Sequence, residues 1–176
     1  MPRLSINQVY MDVAYSVSQL SYAERRKVGC VIVKDDQIVS FGYNGTPKGF
    51  NNNCENTKKT IIDVKYADNP DGVKALEDDG FACDHEFCRK TEKVTKREVL
   101  HAESNAITKI AKSTMSSDGA DLYTTTSPCF ECSKLIIQSG IKRVFYAEEY
   151  HDTEGLQLLN KAQIEVIKLE KEKDGF

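Results

Sequence analysis

A chain of 176 residues with 40% hydrophobic and 29% charged residues is long enough to bury a core and polar enough for an ordinary globular protein. Its net charge of -3 argues against duplex DNA or tRNA as the main partner, because such polyanions call for a basic field. No apolar run is long enough to cross a bilayer and the N-terminus lacks the apolar core of a secretory signal, so a cytoplasmic protein with no membrane or nucleic-acid partner is expected.

Ile6, Val9, Tyr10, Val13, Val17 and Leu20 recur at helical spacing. They predict a helix over residues 4–20, with Ser5 and Gln8 placed as a capping box. Residues 28–33 and 38–43 read as strands on either side of Asp35-Asp36, a hairpin pattern. Beyond Asn44 the period breaks at Gly45, Pro47, Gly49, three consecutive Asn and Pro70. This stretch is expected to be a long loop insertion at about 46–97 within a single domain spanning 1–176.

Periodic structure resumes at His101. Helices are predicted over 101–112, from Ser127-Pro128 to near Gly140, and over 153–162. Strands are predicted over 122–126, 143–147 and 164–167. The order α-β-β-α-β-α-β-α-β, with helices alternating with strands in the second half, predicts an α/β three-layer α-β-α sandwich with parallel neighbours.

Six cysteines, Cys30, Cys54, Cys83, Cys88, Cys129 and Cys132, invite a metal reading, because disulfides are rare in a reducing compartment. Two fragments carry most of the chemistry: His101-Ala102-Glu103 and Pro128-Cys129-Phe130-Glu131-Cys132. Cys129 and Cys132 are three apart at a predicted helix start, where the dipole favours thiolates. One imidazole and two thiolates give three zinc ligands and leave a fourth position open, as a catalytic zinc requires. Glu103 is placed to take a proton from an attacking water and pass it to a leaving amine. Taken singly, Cys-x-x-Cys also suits a redox pair, and a lone His a packed helical side chain.

Together these fragments have the H-x-E…P-C-x-x-C pattern of zinc nucleobase deaminases. With Lys27-Val28-Gly29, the run from Gly42-Tyr43-Asn44-Gly45 to Gly49, His101 to Ile107, Ser127 to Cys132 and Gln138-Ser139-Gly140-Ile141, the chain resembles the deoxycytidylate deaminase family of the cytidine deaminase-like superfamily. The resemblance implies a central five-stranded mixed sheet flanked by helices and conversion of dCMP to dUMP and ammonia. It also implies a homohexamer activated by dCTP and inhibited by dTTP, with Mg2+ accompanying the triphosphates. It assigns the catalytic Zn2+ to His101, Cys129 and Cys132 and proton transfer to Glu103. The insertion from Cys54 to Cys88 departs from short members of the family.

For a monophosphate substrate, the basic cluster after the first helix is the natural donor, with Arg26 and Lys27 chosen for the phosphate. Asn44 is the candidate for the sugar hydroxyl, since its amide both donates and accepts. Tyr123, Thr125 and Ser127, at the strand end before the zinc helix, are expected to flank the base, with Ala102 beside them. The glycine-rich segment holding Gly42, Tyr43, Gly45, Lys48 and Phe50 is the expected effector site, because such loops expose N–H groups to phosphates. A second, structural zinc is expected on Cys54, Cys83, His85 and Cys88, since the polar insertion has little apolar surface to fold around. Cys30, inside a strand, is read as a packed apolar residue.

Three other readings remain open at this point. The chain would be another zinc deaminase, acting on nucleosides, guanine or tRNA adenosine. It would be a non-enzymatic zinc-stabilised interaction module built on the insertion. Or it would be a thiol redox protein using Cys129 and Cys132.

Overall fold

The computed structural model describes residues 3–63, 70–84 and 86–170. The chain starts with α1 (Ile6–Ser18), β1 (Gly29–Lys34) and β2 (Gln37–Tyr43). It continues through β3 (Glu55–Asp63), α2 (Pro70–Asp78), β4 (Ala82–Cys83) and β5 (Phe87–Thr95). Then come α3 (Ala102–Ile110), β6 (Asp121–Thr126), α4 (Phe130–Gln138), β7 (Arg143–Glu148), α5 (Glu154–Lys161) and β8 (Glu165–Lys168). Two compact units result, Met1–Cys54 with Glu98–Phe176 and Glu55–Arg97.

The first unit is a three-layer sandwich on a five-stranded sheet of order β2-β1-β6-β7-β8. β1 runs antiparallel to β2 and β6, while β6, β7 and β8 are parallel, because a helix returns the chain between each of these last pairs. Asp35 and Asp36 both take positive φ, 49° and 60°, which closes the predicted hairpin in two residues. Ser5 caps α1 as its position suggested, its hydroxyl accepting from the Gln8 N–H at 3.2 Å.

Strand alternation sorts the core. Val31, Val33, Tyr123 and Phe145 point to one face and pack with Tyr10, Met11 and Ala14 of α1. Cys30, Ile32, Leu122 and Val144 point to the other and pack with residues of α3, α4 and α5. Cys30 is thus a core residue, as read. No helix among the described residues is long and apolar enough to cross a membrane.

The second unit corrects the expected loop. β3 and β5 pair antiparallel through nine residues each, from Glu55 opposite Thr95 to Asp63 opposite Phe87, and β4 adds a short third strand. The insertion therefore begins at Glu55 rather than near 46 and carries a sheet of its own. Its strands are rich in Thr, Lys and Glu, so no apolar alternation announces them. A backbone ladder needs none, because the hydrogen bonds are main-chain.

Candidate active site

α3 and α4 both begin where the site lies. His101 is the N-cap of α3 and Cys129 the N-cap of α4, both with extended backbone and neither with a side-chain cap bond. Their side chains meet instead: His101 Nδ1 lies 3.3 Å from Cys129 Sγ and 3.4 Å from Cys132 Sγ. One ligand atom from each of the three residues lies within 4.8 Å of the others. An imidazole and two sulfurs so gathered fit a tetrahedral zinc with one position left over. α4 starts at Phe130 rather than at Ser127-Pro128, and the Ser127 hydroxyl accepts from the Tyr150 N–H at 2.8 Å.

The electrostatics suit that donor set. Hydrogen bonding from Cys132, then from His101, holds the Cys129 thiol down at about 4. The same bond to Cys129, with burial, pushes the Cys132 thiol up. The hydrogen bond with Cys129 raises His101. Glu103, in the first turn of α3 and only 4% exposed, is pushed up chiefly by burial.

Residues 4–148 match the cytidine and deoxycytidylate deaminase zinc-binding region. The chain belongs to the cytidine and deoxycytidylate deaminase family. It is a hydrolytic deaminase by that membership, with Zn2+ as the family's metal. The deaminase is 37% identical over 174 residues to the deoxycytidylate deaminase of Enterobacteria phage T2, covering 92% of this chain and 90% of that one. It is 32% identical to that of Mycobacterium phage D29, over 85% and 99% of the two chains. Among solved structures, the dCMP deaminase of cyanophage S-TIM5 in complex with dCMP and dUMP superimposes with a TM-score of 0.72. There the identity is 37%, covering 96% of this chain and all, 100%, of the other.

The other expected site residues fall in different places. Tyr123 is a correction: alternation turns it to the α1 face, where its ring stacks on Phe145 at 4.5 Å and its hydroxyl donates to Asn7 Oδ1 at 2.9 Å. Thr125 is buried with its hydroxyl accepting from the Gly29 N–H at 3.2 Å. Asn44 accepts from the Val28 N–H and donates to the Arg26 carbonyl, both at 2.8 Å, which ties the segment after α1 to β2. Arg26 pairs with Glu148 at 2.8 Å, Lys27 is exposed, and Ala102 is fully buried.

Tyr43, Gly45 and Lys48 line an open pocket of about 230 Å³, with Tyr22, Asn105 and Lys109 among its other walls. Gly42 and Phe50 are not among its lining residues. Gly42 is corrected to a packing role: a Cβ there would lie 2.1 Å from the Ala102 carbonyl, so α3 can rest on β2 only over a glycine. Phe50 stands exposed on its loop.

The second zinc is also corrected. Cys83 and Cys88 form a disulfide across β4 and β5, and a disulfide sulfur is no thiolate ligand. Cys54 belongs to the first unit, buried with Ala23 and Val99, and His85 lies outside the described residues.

Several site residues carried no usable signal in the sequence. Gly155 of α5 leaves room for the ligand loop: a Cβ would lie 2.2 Å from the Pro128 carbonyl and 2.8 Å from the Cys129 carbonyl carbon. Tyr150 lies near enough for the Cys129 charge to raise its hydroxyl, after burial. Thr124 reaches Glu103 itself. A threonine two residues after Leu122, on the same face of the strand, was the one available sign.

Proposed function

We propose that the chain hydrolyses dCMP to dUMP and ammonia, using zinc held by His101, Cys129 and Cys132 and a proton carrier, Glu103. The observation that carries this reading is the meeting of one imidazole and two sulfur donors within 4.8 Å at two helix N-termini, with the buried Glu103 in the first turn of α3. The names of the phage relatives and the dCMP and dUMP bound by the cyanophage enzyme support the choice of nucleotide. When bound, zinc supplies Lewis-acid activation of water. Glu103 would take one proton from the attacking water and deliver it to the ring nitrogen of cytosine as the water oxygen adds to the carbon bearing the amine. It would then carry the second water proton to the exocyclic amine, which leaves as ammonia as that carbon–nitrogen bond breaks and the carbonyl forms. The positive ends of α3 and α4 steady the negative charge these steps create.

Arg26, with Lys27, is the proposed phosphate clamp; the phosphate would take the place Glu148 holds on Arg26. Asn44 retains one N–H and one lone pair for the sugar beyond its two backbone bonds. Ser127 and Ala102, at the starts of the two zinc helices, are the proposed walls near the base. The pocket beside Lys48 and Lys109, with two tyrosines, is the proposed site for dCTP and dTTP, with Mg2+ on the triphosphates. A homohexamer is part of the same proposal. So is a cytoplasmic setting, in which Cys129 and Cys132 stay reduced; the Cys83–Cys88 disulfide weighs against that compartment.

The test is zinc analysis paired with ammonia release from dCMP, CMP, deoxycytidine, guanine and tRNA. Release from dCMP above the others is expected. Glu103→Gln should keep zinc and lose about 100- to 10,000-fold in rate. Arg26→Ala should slow dCMP far more than deoxycytidine; equal slowing would remove the clamp from the scheme. A rate flat against both triphosphates, with no heat of binding, would reject the effector site.

A further inference from the structure

Glu103 receives one contact from the sheet. Thr124 of β6 is fully buried, and its Oγ1 lies 3.3 Å from Glu103 Oε1 and 2.9 Å from the Thr126 carbonyl oxygen. A hydroxyl has one hydrogen and two lone pairs. A carbonyl only accepts, and a carboxylate only accepts, so the single hydrogen serves one of them at a time. The 2.9 Å bond is of ordinary length and the 3.3 Å contact is long, which puts the hydrogen on the Thr126 side. The contact to Glu103 is then the one free to tighten during reaction.

We propose that Thr124 is a positioning residue for Glu103: its buried hydroxyl, anchored on the Thr126 carbonyl, sets where Glu103 Oε1 lies. The Thr124 hydroxyl is itself held by the Thr126 carbonyl, so the strand fixes the oxygen against which Glu103 Oε1 rests. The other carboxyl oxygen is then the one aimed at water and substrate, and the side chain need not swing between abstraction and delivery. Burial sharpens the need, because water does not replace a lost partner at Thr124. A hydroxyl is what the role requires; an apolar side chain of the same shape fills the strand position equally well.

The inference rests on Glu103 as proton carrier, and the experiment separates the two. Thr124→Val keeps the volume and removes the hydroxyl; Thr124→Ser restores it. With dCMP as substrate, Thr124→Val should bind zinc normally, keep KM within about twofold and lose about 10- to 100-fold in kcat. Thr124→Ser should recover most of that loss. Adding Thr124→Val to Glu103→Gln should cost nothing further. If Thr124→Val fails to fold, Thr124→Ala carries the same comparison. A Thr124→Val enzyme with parental kcat, a loss that appears equally in zinc content, or a serine that rescues nothing would overturn the proposal. A Glu103→Gln enzyme with parental turnover would instead overturn the reading of Glu103 on which it stands.

Discussion

Of the described residues in Glu55–Arg97 only Glu55 and Cys88 are buried, whereas the five-stranded unit buries one apolar cluster on each face of its sheet. The smaller unit is held by other means. Its nine-residue β3–β5 ladder is joined near one end by β4, which the Cys83–Cys88 disulfide ties to β5. Ion pairs Arg89–Asp84, Lys90–Asp79 and Lys58–Glu92 lie along it, and Lys90 rests over the Phe81 ring at 5.3 Å. Exposed pairs of this kind contribute little each, since solvent screens them. The contrast separates regular structure from stability: main-chain pairing can shape a polar segment, but only apolar burial or a crosslink makes it costly to open.

The sharpest way to break the comparison is to remove matched apolar groups from the two units. Phe145→Ala, at a fully buried ring stacked on Tyr123, should destabilise the larger unit by about 3–5 kcal/mol in denaturant melts. Ile61→Ala in β3, where the side chain is 61% exposed, should stay within about 0.5 kcal/mol. Similar costs at the two positions would mean that the smaller unit has an apolar core after all.

A middle-sized effect should come from the crosslink. Reducing Cys83–Cys88, or replacing both by Ser, should cost the smaller unit about 2 kcal/mol, the value for closing so short a loop. Hydrogen exchange should quicken across β3 and β5 while the main melting transition of the larger unit stays put. An unchanged exchange pattern would leave the ladder, not the disulfide, as the stabilising element.

The smallest effect should follow acid. Asp84 accepts from Arg89 and from the Glu86 and Phe87 N–H groups, and these bonds hold its carboxyl well below the usual range. A depressed carboxyl contributes stability that is present above its unfolded pKa and lost only as pH falls through the folded one. The β4–β5 turn should therefore keep its Glu86 and Phe87 amide shifts through the pH range where ordinary carboxylates titrate. Asp84→Asn should remove that acid-range dependence. Amide shifts that move together with free Asp would contradict it.

The sequence showed the larger unit more plainly than the smaller for the same reason. β1 is apolar, β6 carries Leu122 and Tyr123 ahead of its threonines, and His101 and Cys129 stand at helix starts, so spacing in the chain maps onto closeness in space. Glu55–Asp63 offers no such period, and its polarity was legible only as an absence of core. Cys83 and Cys88, five apart, fit a zinc half-site or a hairpin disulfide equally well on spacing alone. Tyr123 failed for a finer cause: alternation along β6 decides which way each side chain faces, and that is not set by residue type.

Gly155 contributes no atom to the metal, yet the loop carrying Cys129 lies where its missing methyl group would be. Zinc–ligand distances tolerate only about 0.2 Å of error. A Gly155→Ala side chain, 2.2 Å from the Pro128 carbonyl, cannot be admitted without shifting that loop by more than such a tolerance. The affinity for metal is thus written partly as an unfilled volume on a helix that supplies no donor. A genetic screen for lost zinc would return position 155 alongside the ligands themselves, although no inspection of charge or hydrogen bonding would have nominated it.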